Sequence, residues 1–260
     1  MIAFAFETLP YLQWNMDRRT LIAVIVVADL IVVAIVLWFL WPRVFGDTTQ
    51  AEAALPLEER PPAVLLIPGY GGGADGLVPL SNVLRQQGIR TEIVDVGDGR
   101  GDLSEYGADV ARQAQALQAQ GYDVDLVGYS AGGITARSAA QQAPEAIDRI
   151  VTIGSPHNGT VLASLGGLVG ACPIACQQMQ PDSDLLTALP AVDGDFLSVY
   201  SENDDVIRPF TSSELDGATN VLVQDACSSD TVEHGGLPND GYVQRVVAAF
   251  LTDQPVPTTC

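Results

Sequence analysis

"VDLVGYSAGGITARSAA", residues 124–140, passes from an apolar run through a glycine-bounded turn into a helix-favouring run. The turn itself, "GYSAG" at 128–132, matches G-x-S-x-G. That pattern requires a strand before it and a helix after it. The chain doubles back so tightly that only small residues fit beside the serine, which is held at a strained dihedral with its oxygen exposed. "DVDLV" at 123–127 and "GGITARSAAQQA" at 132–143 supply the two elements. Ser130 is therefore a candidate nucleophile, and the positive end of the helix that follows points at charge formed during acyl transfer.

Short β-rich runs and helical runs alternate on either side of this turn. The strand candidates are 63–67, 89–94, 123–127, 149–153, 195–200 and 219–223. Helical candidates lie near 77–87, 104–120, 131–143, 182–189 and 239–251. Such alternation predicts an α/β fold with a mainly parallel central sheet and helices on both faces. Residues 62–260 form this domain, which is long enough to bury a full core.

A serine hydroxyl is a weak nucleophile at neutral pH and needs a base, normally a histidine held by a carboxylate. The chain has two histidines, His157 in "GSPHNGT" and His234 in "DTVEHGGLPND". In a strand–turn–helix architecture of this kind the order is Ser, then acid, then His. That order selects His234 and leaves His157 as a structural residue or part of the cleft wall. The acid is expected at the end of the intervening strand, where "YSENDDVIRP" places Asp204 and Asp205 side by side. Asp204 comes first after the polar turn; Asp205 is expected to cap the turn that follows. Two backbone N–H groups must also face the developing oxyanion. Ala131, next after the nucleophile, provides one. Tyr70, in the loop "PGYGGGADG" at 68–76, is the best placed for the other.

The same loop supports a rival reading. Gly71, Gly73 and Gly76 fit G-x-G-x-x-G after a strand, and Asp95 ends the next strand at the spacing of a dinucleotide-binding fingerprint. A Rossmann-type NAD(P)-binding oxidoreductase leaves the Ser, Asp and His set unused, however. It also fits poorly with a domain held outside the cell.

That location follows from residues 21–41, an apolar run interrupted only by Asp29. At about 1.5 Å per residue the run spans roughly 31 Å, the thickness of a bilayer core. It predicts a single transmembrane anchor over 21–42, after an N-terminal segment 1–20 and before a linker 43–61 that ends in Pro-Pro. "AEAA" at 51–54 resembles a processing site, but the apolar run is longer than a signal-peptide core. Arg18 and Arg19 precede the run and Arg43 follows it, which favours an extracytoplasmic domain. The chain carries 12 basic and 32 acidic residues, with a net charge of −20. So acidic a surface repels phosphate backbones and makes nucleic acid a poor partner.

Taken in order, "LLIPGYGG", "LVGYSAGG", "TIGSPHNGT", "YSENDDVIRP" and "VEHGGLP" resemble the small secreted bacterial lipases and esterases of the α/β-hydrolase superfamily. The resemblance covers about residues 62–252. It implies an ester or lipid substrate, Ser130 as nucleophile, Asp204 as acid, His234 as base, and Tyr70 and Ala131 as oxyanion donors. It implies neither a metal nor an organic cofactor. This chain has "PGY" where the family often has "HG" after the first strand, and the anchor lies outside the resemblance. A non-catalytic, lipid-binding relative is a third reading, disfavoured because every catalytic position is filled.

Outside the cytoplasm the four cysteines should be oxidised. Three pairings are possible; the economical one joins Cys172 to Cys176 and Cys227 to Cys260. C-x3-C without a second close pair or a nearby histidine argues against zinc. Between "SPH" and the strand at 195 there is room for one helix but not for a large helical cap over Ser130.

Overall fold

The computed structural model describes residues 60–168, 170–192 and 194–260, together with Arg19, Val27 and residues 29–35. Two compact units divide the chain, residues 1–54 and 55–260. In the first, residues 29–35 are helical. Among the described residues no helix is long and apolar enough to cross a membrane. Of the expected anchor over 21–42 only Val27 and residues 29–35 are described, and of the expected linker over 43–61 only residues 60 and 61; the rest of both lies outside the described residues.

The second unit is built on six strands: β1 (Pro62–Ile67), β2 (Arg90–Ile93), β3 (Asp123–Tyr129), β4 (Ile150–Ile153), β5 (Phe196–Tyr200) and β6 (Thr219–Leu222). All pairings are parallel, in the order β2-β1-β3-β4-β5-β6. The helices are α1 (Val78–Gln86), α2 (Leu103–Ala119), α3 (Ala131–Gln142), α4 (Val161–Leu168), α5 (Ile174–Gln178), α6 (Asp184–Ala188), α7 (Val223–Ala226) and α8 (Gly241–Leu251).

β1 shows why its residues read as one uninterrupted apolar run. Successive side chains of a strand point to opposite faces, and helices cover both faces of this sheet. Val64 and Leu66 pack with Leu80 and Leu84 of α1 and Val243, Val246 and Val247 of α8. Ala63, Leu65 and Ile67 pack on the other face with Val110 and Ala114 of α2 and Ala136 and Ala139 of α3. The chain runs outward from β1 to β2, then crosses back to β3 on the other side of β1. The loops after β1 and β3 therefore diverge at the carboxyl ends of adjacent strands, the crevice where open parallel sheets hold ligands.

All six expected strands are present. The last ends at Leu222, however, and Val223 begins α7 rather than closing the strand. Between β4 and β5 the chain forms three helices, α4 to α6, where one was expected. "VLASLGGL" and "IACQQ" have no clear apolar periodicity of their own. Their packing defines them: Ala163, Ala175, Met179 and Leu189 bury against Ala131 and Ile134 of α3. These helices make a small cap beside the turn that carries Ser130.

The disulfides join Cys172 to Cys176 and Cys227 to Cys260. The second ties the C-terminus to the end of α7. Closing its loop, with a sequence separation of 33, restricts the unfolded chain by about 3–4 kcal/mol on a chain-entropy account.

At the opposite end of β3, Asp125 is buried, and burial raises its carboxyl from the ordinary 3.8 to about 7, with Arg149 offsetting part of the effect. A carboxyl that keeps its proton longer in the folded state than in the unfolded one lowers stability as pH rises between those two values. At most about 4 kcal/mol is involved. The melting temperature should therefore fall by several degrees from pH 5 to pH 8 on this account, and Asp125→Asn should flatten the fall. Parallel wild-type and variant curves would refute it.

Candidate active site

Ser130 sits between β3 and α3 with φ 55° and ψ −124°. This is the left-handed backbone region that side chains rarely occupy, and it lifts the hydroxyl out of the strand end. The turn is as tight as the sequence requires. A Cβ on Gly128 would meet the Gly132 carbonyl oxygen at 2.4 Å, and one on Gly132 would meet that of Ile67 at 2.2 Å. Any larger residue at either position would force the strand and helix apart.

His234 opens a short 3-10 turn (His234–Asn239) before α8, and Asp204 lies in the loop after β5; both are buried. Three side chains from separate parts of the chain meet here. His234 Nε2 lies 3.0 Å from Ser130 Oγ, and its Nδ1 lies 2.7 Å from Asp204 Oδ2. The other carboxylate oxygen, Asp204 Oδ1, accepts the N–H groups of Val206 at 2.9 Å and Ile207 at 2.7 Å. With both oxygens engaged, the carboxylate cannot rotate. It holds the proton on Nδ1 and leaves Nε2 free to accept the serine proton.

The expected division of labour between the two aspartates needs one correction. Asp204, not Asp205, caps the turn that follows, while also facing His234. Asp205 is exposed and accepts the His234 backbone N–H at 3.2 Å. Tyr129 completes the clamp: its hydroxyl donates to the His234 carbonyl at 3.0 Å, and its ring lies 5.1 Å from the imidazole. The backbone of His234 is thus fixed on both sides. Burial, with the nearby Asp204 and Asp205, pushes the Tyr129 phenol up to about 12, so it remains a donor.

Several further residues escaped sequence reasoning. Ser201 Oγ donates to the Val232 carbonyl at 2.7 Å, and Asn203 Nδ2 to that of Asp230 at 3.2 Å. Gln224 Nε2 bonds both Ser201 Oγ and the Asp230 carbonyl, at 2.9 and 3.1 Å. Together they dock the acid loop onto the histidine loop. No sequence signal marks them, since each partner is supplied by another loop. His157 lies elsewhere, buried against Phe196 with its Nε2 3.0 Å from Thr152 Oγ1. Burial and the charge of Arg137 push it down to about 3, so it stays neutral.

Ala131 is the first residue of α3, where an N–H has no acceptor within the helix. The loop after β1 lies against the nucleophile: a Cβ on Gly69 would be 2.8 Å from Ser130 Cβ and 3.4 Å from its Oγ. Tyr70, the next residue, is partly exposed at the rim. The glycines of the same loop do not show the packing role that the dinucleotide fingerprint gives them. That fingerprint uses glycines so that backbone, ligand and helix can approach closely. A Cβ on Gly71, Gly73 or Gly76 would meet no protein atom of the described residues within 4 Å, and Asp95 Oδ1 accepts the N–H of Gly97 at 2.9 Å.

A family model described as palmitoyl protein thioesterase matches residues 63–189, a span that contains Ser130 and ends before Asp204 and His234. Aspergillus fumigatus lipase B is similar in structure, with a TM-score of 0.68 at 19% identity over 76% of this chain and 54% of that one. The chain thus spans about half the length of that protein. Paleococcus ferrophilus monoacylglycerol lipase gives a TM-score of 0.54 at 15% identity, covering 75% of this chain and 96% of that one. Mature Bacillus licheniformis lipase BlEst2 gives 0.51 at 18%, covering 65% and 87%. The fold is that of the α/β-hydrolases. No curated protein sequence matches the chain.

Proposed function

We propose that this α/β-hydrolase cleaves carboxylic esters through an acyl-enzyme on Ser130. The observation that carries the reading is the continuous relay Asp204–His234–Ser130, at 2.7 and 3.0 Å, ending on a hydroxyl at a strained turn. In the first half-reaction His234 Nε2 takes the Ser130 proton as Oγ attacks the ester carbonyl. The N–H groups of Tyr70 and Ala131 face the tetrahedral oxyanion. His234 then gives its proton to the departing alkoxide, and alcohol leaves. Water, deprotonated in turn by His234, attacks the acyl-enzyme, and Ser130 regains its proton as the acid departs. The same steps cleave a thioester. The family model's description gives that substrate a claim, because the part matched includes the nucleophile turn.

The apolar run over 21–42 is proposed to anchor this domain at the outer face of a membrane. Two disulfides support that location, since such bonds persist in oxidising compartments. One experiment tests both proposals. The full chain is expressed, cells are fractionated, and aryl esters and alkyl thioesters of increasing acyl length are assayed in each fraction. Hydrolysis should sit with the membranes and yield to protease added from the outside. Activity confined to the cytoplasm would overturn the anchor, and no hydrolysis of any member by folded protein would overturn the enzyme.

A further inference from the structure

Beside the proposed oxyanion loop stands a cation, Arg100, with no anionic side-chain partner among the described residues. Arg100 belongs to the loop after β2, "DVGDGRGD" at 95–102, and its neighbour Gly99 packs on the loop after β1. A Cβ on Gly99 would lie 2.6 Å from the Gly69 carbonyl oxygen and 2.8 Å from the Gly72 nitrogen. Gly69 in turn touches Ser130, so one layer of backbone separates the Arg100 segment from the nucleophile. The Arg100 backbone is fixed on both sides: its N–H donates to Asp98 Oδ1 at 3.1 Å, and its carbonyl accepts from Ala175 at 3.3 Å. Its guanidinium carbon lies 5.5 Å from the centre of the Tyr70 ring, within reach of a cation–π contact. Together Tyr70 and Arg100 line an open cleft of about 410 Å³, with Gly170, Ala171, Cys172 and Pro173 along its other side.

Among the described residues, the neighbouring carboxylates make no ion pair with this guanidinium. Asp98 is turned to the Arg100 backbone. Asp102 Oδ1 caps α2 through the Ser104 N–H and accepts from Gln178 Nε2, both at 2.8 Å. Among the described residues Arg90, Arg112 and Arg149 are paired with Glu92, Asp109 and Asp253, while Arg100, like Arg85, Arg137, Arg208 and Arg245, makes no ion pair; what sets Arg100 apart is its exposed place beside the loop that touches Ser130. A chain with a net charge of −20 repels anions in general. The Arg100 guanidinium, set against Tyr70 beside the loop that touches Ser130, is a local exception that offers an anion a charged partner. Its planar fork suits a carboxylate or phosphate.

We propose that Arg100 is a specificity residue that selects esters bearing an anionic group near the scissile bond, held in the Tyr70–Arg100 cleft. The proposal rests on the reading of Ser130 as the nucleophile of an ester hydrolase. The anion can belong to the acyl or to the alcohol half of the ester, and two substrate pairs separate these. Monophenyl adipate against phenyl hexanoate places the charge on the acyl side. 4-Carboxyphenyl hexanoate against 4-carbamoylphenyl hexanoate places it on the leaving group.

For one of these pairs the wild type should favour the anionic member, and added salt should erode that preference. Arg100→Gln should lower the anionic-to-neutral ratio of kcat/KM about tenfold, mainly through KM, and Arg100→Lys should retain part of it. Unchanged ratios in Arg100→Gln, or an equal fall for the charged and neutral esters, would overturn the assignment of Arg100 alone. Failure of the wild type to turn over any of the four esters would overturn the reading of the site, and this proposal with it.

Discussion

Ser130→Ala should lose ester hydrolysis by about 10⁶ in turnover, the scale seen when the nucleophile of a serine hydrolase is removed. Covalent capture by a fluorophosphonate should vanish with it. The fold should survive. Ser130 is buried between β3 and α3, and among the described residues its side chain hydrogen-bonds only to His234 Nε2, at 3.0 Å. The strained φ of 55° is imposed by the Gly128–Gly132 turn and is retained by alanine. The melting temperature should therefore stay within a few degrees, which separates lost chemistry from lost structure. Intact-mass measurement after labelling provides the check. An adduct that persists in the variant would place the nucleophile on another serine.

Asp204→Asn should cost about 10⁴ in turnover, the loss expected when the triad histidine is held in the wrong tautomer. The structure gives the reason. Asp204 Oδ1 accepts two backbone N–H groups, from Val206 and Ile207. An asparagine keeps those bonds only by placing its carbonyl oxygen there, which turns its NH₂ group towards His234 Nδ1. Nδ1 must then accept, Nε2 carries the proton, and the ring can no longer receive one from Ser130. Because the cap is preserved, stability should change little. Asp205→Asn makes the contrasting case. Its one contact with the histidine is to the backbone N–H, and an amide oxygen can still accept that bond. Activity should stay within about tenfold of wild type. Exchanged phenotypes in kcat and melting temperature would make Asp205 the acid. Two silent variants would move the acid elsewhere.

What the sequence determined by itself was whatever depends on residues close together along the chain. The strand before Ser130, the small residues at 128 and 132 and the helix after them form a local unit, so both the turn and its strain were legible in "GYSAG". The parallel sheet followed for the same reason: strands covered on both faces must be apolar throughout, and "AVLLI" in β1 is. Chain order alone chose His234 over His157, which lies buried elsewhere with Thr152. Only the tertiary structure decided between adjacent carboxylates. Asp204 and Asp205 have the same chemistry, and their roles differ by which way each leaves the end of β5. Asp204 is directed inward to His234 and to its own turn, while Asp205 remains at the surface against the His234 backbone. The Tyr129 clamp, the polar bonds from Ser201, Asn203 and Gln224, the small cap of α4 to α6 and the disulfide pairing belong to the same class. Each joins segments that the sheet topology brings together, and a contact of that kind leaves no periodicity in the sequence because neither partner needs the other until the chain has folded.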